Sequence, residues 1–331
     1  MSSDANRNAR IYELRLGNES SAPVQELSSS LHQKAQDEQV STFEQYRPLL
    51  FAIAYRMLGS VADAEDLLQD AFIRWQQAHL DEIESPRAFL VTVLKRLCIN
   101  HLQAARLKHE TYVGQWLPEP IVTGPVHNPL SALGTSESLS FAFLLLLERL
   151  TPSERAVLIL RDVFDFEYSE IAAVLGRNQA SCRQILKRAR QHIKEGRARF
   201  DATREEQQDL LRRWSEASSR GDMDELIALL SKDAVFYSDG GGKGPALPKP
   251  LYGPTNIARG VLEGLRKLVP QKAFVRRPAL INGTPGIVSF VDERPFSVII
   301  LDVSGGRICC IYVVSNPEKL MRLPSLTALS L

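Results

Sequence analysis

The chain has 331 residues, enough for two or three domains at roughly 100–200 residues each. Its formal net charge of +1 excludes a uniformly basic nucleic-acid coat, so any DNA binding must come from local patches. The four cysteines form no C-x-x-C pair and no histidine stands at finger spacing, which argues against a metal or cofactor site and for a reducing, cytoplasmic setting. No secretory signal pattern opens the chain, and the longest purely apolar run, Phe141 to Leu147, is too short to span a bilayer, so no membrane partner is expected.

Residues 1–40 are rich in Ser, Asn, Gln and charge, and read as a mostly disordered extension with a weak helix around Val24 to Gln36. From Thr42 the pattern turns helical. Phe43, Tyr46, Leu49, Leu50, Ile53, Met57 and Leu58 predict one helix, and Gly59 ends it. In the next helix Ala64, Leu67, Leu68, Ala71, Phe72 and Trp75 form one apolar face, with Asp63, Asp66 and Asp70 as an acidic stripe beside it. Ser85-Pro86 then marks an N-cap with proline at the first helical position. The helix it starts carries the basic stretch Lys95 to His109. An acidic stripe so close to a basic segment suggests two partners of opposite charge, a basic protein and a nucleic acid.

Glycine and proline break residues 111–136 into an extended linker. Helices resume near Ser136, and Thr151-Pro152-Ser153-Glu154 is a capping box. Tyr168 to Ile193 reads as a helix-turn-helix. Ile171, Ala172 and Leu175 bury its first helix, Gly176 permits the turn, and Asn178 caps the second helix. There Cys182, Leu186, Ala189 and Ile193 form the core stripe. The opposite face carries Gln179, Arg183, Gln184 and Lys187, side chains suited to base edges. Arg188 and Arg190 join Lys194, Arg197 and Arg199 as added positive charge for phosphate. After Phe200, two helical stretches lead into strands at Ala234 to Ser238, Ala273 to Asn282, Ile287 to Val291, Phe296 to Val303 and Arg307 to Val314. This predicts an α+β domain with an antiparallel sheet.

Together these modules resemble the extracytoplasmic-function (ECF) bacterial sigma factors. Asp63-Ala-Glu-Asp-Leu is the most recognisable string, and the resemblance runs over roughly residues 42–199. Three strings narrow it: Trp116-Leu-Pro-Glu-Pro120, Asp239-Gly-Gly-Gly-Lys243 and Asn316-Pro-Glu-Lys-Leu320. Their order is similar to members with a fused SnoaL-like C-terminal domain, the SigJ-type or ECF41 group. The implied architecture is sigma region 2 over 41–110, linker 111–136, and sigma region 4 over 137–199. Both regions are all-α, and an α+β SnoaL/NTF2-like cone follows over 200–331.

The resemblance implies roles as well. Asp63, Glu65, Asp66 and Asp70 fall where the family meets the β′ clamp helices of bacterial RNA polymerase core. Lys95, Arg96, Asn100, His101, Gln103 and Arg106 fall where it opens and reads promoter DNA at the −10 element. Gln179, Arg183, Gln184 and Lys187 fall where it reads the −35 element, with Arg188 and Arg190 as further DNA contacts. Regulatory contacts are expected at Trp116, Pro118, Glu119, Asp239, Gly240, Gly241, Gly242, Lys243, Asn316, Pro317, Lys319 and Leu320. The triple glycine would bring Asp239 and Lys243 to the linker, and the C-terminal domain would regulate the sigma modules from within the chain.

Two other readings stay open at this point. One is a stand-alone helix-turn-helix regulator with a C-terminal domain that senses a small ligand. The other is a fused SnoaL-like isomerase or cyclase, for which Asp233, Tyr237, Asp239 and Arg276 are the imaginable acid–base groups, although no histidine follows His192.

Overall fold

The structure, a computed structural model, describes residues 22–109, 112–123, 136–194, 202–268 and 274–329. The first helix, α1 (Ala22–Leu58), begins well before the apolar periodicity does. Residues 22–40 continue the helix instead of leaving it. Gln25 to Gln39 hold many good helix formers and no glycine or proline, and a formed helix extends cheaply. The rest of the expected extension, residues 1–21, lies outside the described residues.

Gly59 stops α1 in the left-handed region at φ +67°, and Ser60 caps α2 (Val61–Gln76) by accepting from the Asp63 amide at 3.2 Å. Ala64, Leu67, Leu68, Ala71 and Trp75 of α2 are buried, as the periodicity requires. Phe72 packs on Phe43, with ring centroids 4.8 Å apart. Helix α3 (Pro86–His109) starts at the expected cap, where Ser85 Oγ accepts from the Ala88 amide.

Four further helices follow the linker. They are α4 (Phe141–Leu147), α5 (Pro152–Leu158), α6 (Tyr168–Leu175) and α7 (Gln179–Lys194), with a π turn over Ile159–Val163. The Thr151–Glu154 capping box forms, Gly176 turns the chain at φ +63°, and Asn178 Oδ1 accepts from the Ser181 amide at 2.8 Å. Both helical modules share one core, in which Leu50, Trp75 and Leu94 belong with Ile171, Cys182 and Leu186. Two buried arginines join them. Arg155 donates to the Met57 carbonyl at 2.5 Å, and Arg56 to Ser138 Oγ at 3.0 Å.

The last part is α8 (Arg204–Arg220), α9 (Met223–Leu229), α10 (Pro254–Leu268), the short α11 (Pro317–Leu320) and one six-stranded sheet. Its strands are β1 (Leu230–Asp239), β2 (Leu251–Tyr252), β3 (Phe274–Ile281), β4 (Thr284–Val291), β5 (Arg294–Ser304) and β6 (Arg307–Val314), in the order β2-β1-β6-β5-β4-β3. The sheet is mixed rather than antiparallel, because β1 runs parallel to β6. The long crossover between them makes that geometry possible. Strand alternation gives the sheet two apolar faces. Ile287, Leu301, Val303 and Ile311 face α8, α9 and α10. Val288, Phe290, Val298, Ile300, Tyr312 and Val314 face the other way, toward Leu117 of the linker and Phe141 of α4.

Candidate functional site

The acidic helix keeps its charge on the surface. Asp66 and Asp70 of α2 are exposed, Asp63 lies 3.6 Å from His101 Nε2, and Glu65 pairs with Arg47 at 2.5 Å. On α3 the exposed Arg96, Asn100 and Gln103 are spaced by four and three residues and share one face. Lys95 departs from its expected place. It is only 7 % exposed and packs inward beside Leu94, because position 95 falls on the buried side of the helix. Burial pulls its ammonium below the usual lysine range. The side chains of Arg106, Lys108 and His109 lie outside the described residues, as do Arg197 and Arg199.

Helix α7 divides as a recognition helix should. Cys182, Ile185, Leu186, Ala189 and Ile193 are buried, while Gln179, Arg183, Gln184, Lys187 and Arg188 are exposed. Arg183 lies 4.8 Å from the Tyr168 ring centroid and donates to Gln179 Oε1 at 3.2 Å. Arg190 makes a two-pronged ion pair with Asp162, so part of its role is to fix α7 to the π turn after α5.

The linker is gripped from both sides. Asp239, fully buried at the end of β1, accepts at Oδ1 from Tyr112 Oη (2.6 Å) and the Gly241 amide (3.0 Å), and at Oδ2 from the Leu117 amide (2.9 Å) and Lys319 Nζ (2.7 Å). Lys319 also donates to the Leu117 carbonyl and lies 4.5 Å from the Trp116 ring centroid. Burial lowers the Lys319 ammonium from its usual range, and Asp239 opposes that shift. Gly241 is obligatory here, since its φ is +58° and a Cβ would sit 2.3 Å from Asn316. Asn316 in turn donates to Tyr112 Oη at 3.1 Å.

On the opposite side the linker docks on region 2. The Glu119 amide donates to the Gly59 carbonyl, and its buried carboxylate accepts from the Val61 and Ala62 amides at 2.8 and 3.2 Å, at the N-terminus of the acidic helix. Burial raises the Glu119 carboxyl from its usual range, and these two amides oppose the rise. Trp116 turns the edge of its ring to Gly59, where a Cβ would approach Cη2 to 2.4 Å. Further along, Asn282 at the β3–β4 turn donates to Tyr55 Oη at 2.6 Å and to the Leu139 carbonyl at 3.0 Å, and accepts from the Ile121 amide at 2.8 Å. One side chain thus touches α1, the linker and the approach to α4.

The expected regulatory residues mostly converge here. Pro118 is buried in the linker, Leu320 is buried with Leu117, and Pro317 opens α11. Gly242 lies against Val113, and Gly240 forms the turn that Lys243 and Gly244 close. Lys243 differs from expectation. It pairs with Glu318 of its own domain, because the turn carries it past the linker.

Comparisons with known proteins identify the family of the two helical modules. The family model for Sigma-70 region 2 matches residues 42–107, and that for Sigma-70 region 4 matches residues 140–193. The chain is 34 % identical over 296 residues to the ECF RNA polymerase sigma factor SigJ of Mycobacterium tuberculosis, covering 86 % of this chain and 94 % of that one. This chain is an ECF RNA polymerase sigma factor. The probable ECF sigma factor SigI of the same species is 29 % identical, over 83 % of this chain and 92 % of that protein. The crystal structure of M. tuberculosis SigJ superposes with a TM-score of 0.67, covering 85 % of this chain and 97 % of that chain. The expected order of two helical sigma modules and a C-terminal sheet domain holds for this sigma factor over its described length.

The cavity of the sigma factor's sheet domain does not gather the imagined acid–base set. Asp233 is exposed on the surface, Asp239 is held by the linker, and Tyr237 stacks on Tyr312 on the opposite face. Arg276 alone lines the cavity. Among the described residues no group of three His, Cys, Asp or Glu is placed to hold a metal ion, and no helix is long and apolar enough to cross a membrane. Sequence reasoning missed Tyr112, Asn282, Tyr55, Arg56 and Arg155. Asn282-Gly283 carried a readable hairpin signal, but nothing in the sequence pointed its side chain at another module.

Proposed function

We propose that this sigma factor directs core RNA polymerase to promoters with −35 and −10 elements and regulates itself through its C-terminal domain. In the compact form, region 2 and region 4 are fastened together and the linker is clamped between region 2 and the sheet domain. In the active form the clamp opens and the two DNA-reading modules separate along the polymerase. Asp66 and Asp70 contact the basic clamp helices of β′. Arg96, Asn100 and Gln103 work at the −10 element, and Gln179, Arg183, Gln184 and Lys187 at the −35 element. The sheet domain contributes contacts rather than catalysis, and the site of action is the cytoplasm, where the polymerase is.

The observation that carries the reading is the buried Asp239 carboxylate, whose partners include Tyr112 Oη and the Leu117 amide, both in the linker. A domain tethered to its target works at roughly millimolar effective concentration, so such a contact is occupied without being irreversible. The two arginines that join the sigma modules also support it, since the Arg56–Ser138 and Arg155–Met57 bonds both break once the modules move apart. Truncation after Phe200 and, separately, after Arg322 tests it. Promoter-dependent run-off transcription at equal sigma and core concentrations should change with each cut. If neither cut alters it, the C-terminal domain does not regulate.

A further inference from the structure

A cavity of about 370 Å³ lies between the sheet and helices α8 and α10, within the usual range of roughly 300–1,000 Å³ for small-molecule sites. Its wall is mostly apolar, with Trp214, Phe236, Val261, Ile299 and Ile311 among its residues. One polar row crosses its floor. Arg276 of β3 stands directly opposite Ser289 of β4, and Ser289 directly opposite Ser297 of β5, so the three side chains share one face on adjacent strands.

Most polar groups of the wall are already used by the protein. Ser218 donates to the Trp214 carbonyl, Ser238 accepts from the Leu247 amide, and Ser315 donates its hydroxyl to the Pro245 carbonyl and its amide to the Asp239 carbonyl. Two groups of the floor are not. Ser289 Oγ is fully buried and has no partner, and the Arg276 Nε is buried without one. Arg276 Nη1 is held by the Ser215 carbonyl at 3.3 Å and Ser219 Oγ at 2.9 Å. That leaves the Nε edge of the guanidinium, the edge that takes a carboxylate side-on. Burial already pulls this guanidinium below the usual arginine range. At the rim the exposed Glu263 and Lys267 offset each other in charge, so the net positive group of the cavity is Arg276.

We propose that the cavity binds a small amphipathic carboxylic acid. Its carboxylate lies on the Nε edge of Arg276 with Ser289 Oγ donating to it, and its apolar body fills the space walled by Trp214, Phe236 and Val261. Buried unpaired donors carry a desolvation penalty that an anion at this point removes, and a neutral isostere removes only part of it. Ser238 and Ser315 of the wall are each followed in sequence by a clamp residue, Asp239 and Asn316. The effect of the acid on the clamp rests on the autoregulatory reading, whereas its binding does not.

Isothermal titration and thermal melting of the full-length chain would use decanoate and 4-phenylbutyrate, each against its own primary amide. The acids should bind and raise Tm, with the amides at least tenfold weaker. Arg276→Gln should erase the preference for acid over amide, Ser289→Ala should weaken acid binding, and Val261→Trp should block both. If Arg276→Gln does not fold, Arg276→Lys replaces it; this variant keeps the charge without the fork and should bind the acids more weakly. Equal binding of acid and amide, an acid preference that survives at Arg276→Gln or is unchanged at Arg276→Lys, or no binding of either acid at millimolar concentration each overturns the proposal. Run-off transcription with and without the acid reads the coupling separately, so a bound acid that leaves transcription unchanged counts against the coupling and not the site.

Discussion

Lys319 Nζ lies 2.7 Å from Asp239 Oδ2, and the two side chains are 11 % and 0 % exposed. This pair joins α11 to the end of β1 at the point where both hold the Leu117 backbone. Removing one partner of a buried pair leaves an uncompensated charge and typically costs about 3–5 kcal/mol. Asp239→Ala should therefore loosen the clamp, make the linker more susceptible to limited proteolysis, and raise promoter-dependent transcription. The double change Asp239→Leu with Lys319→Met removes both charges and should recover much of the protease resistance. A single variant as resistant as the parent would show that the pair does not hold the linker.

The acidic helix gives a prediction with the opposite character. Asp66 and Asp70 are both exposed on α2. Charge reversal at such positions usually alters stability by no more than about 0.5 kcal/mol. Asp66→Lys with Asp70→Lys should weaken binding to core polymerase at least tenfold, about 1.4 kcal/mol, with Tm almost unchanged. Core-polymerase binding that survives the double change would contradict the placement of Asp66 and Asp70 at the polymerase contact.

On the recognition helix, base reading and phosphate holding separate by their readouts. Arg183→Ala should cost about 1–3 kcal/mol of discrimination at one −35 base pair. Arg188→Ala should weaken holoenzyme binding evenly across sequences and lower the salt dependence by about one ion. Promoter titrations at several salt concentrations measure both. An equal loss of base discrimination in the two variants would refute the division of roles.

The sigma modules were legible because their signals are local. The apolar face of α2, the Thr151 capping box and the buried stripe of α7 each lie within one helix and stand where periodicity puts them. The clamp was half legible. Asp239 and Lys319 stood out as members of short strings, but their pairing spans 80 residues of chain and leaves no periodic trace. Helix α10 went unrecognised although Ile257, Ala258, Val261 and Leu262 carry a clear helical spacing behind Pro254. Lys95 was misplaced for a different reason: a basic residue in a basic segment looks exposed until the core on its side of the helix is known.

The sheet domain should show its own pH dependence. Burial raises the Asp302 carboxyl from 3.8 to about 6, while the Tyr312 hydroxyl, donating at 2.8 Å, opposes the rise. The folded chain then holds this proton more tightly than the unfolded chain. The contribution is full below about pH 4 and is lost as pH rises toward and through about 6, by up to roughly 3 kcal/mol. Asp302→Asn cannot titrate. The stability difference between parent and variant should move in the variant's favour between pH 4 and 7, by denaturant unfolding. A difference that stays flat over that range would contradict the assignment.

Opening of the clamp between region 2 and the sheet domain is the central claim, and distance measurement between spin labels tests it most directly. Labels at Gln77→Cys, just after α2, and Asp224→Cys, on α9, are both on exposed positions. The free chain should give one narrow distance distribution. Added core polymerase should replace it with a longer one, and Asp239→Ala should show part of that longer population without polymerase. The same narrow distribution in the free chain and in the polymerase complex would contradict opening of the clamp.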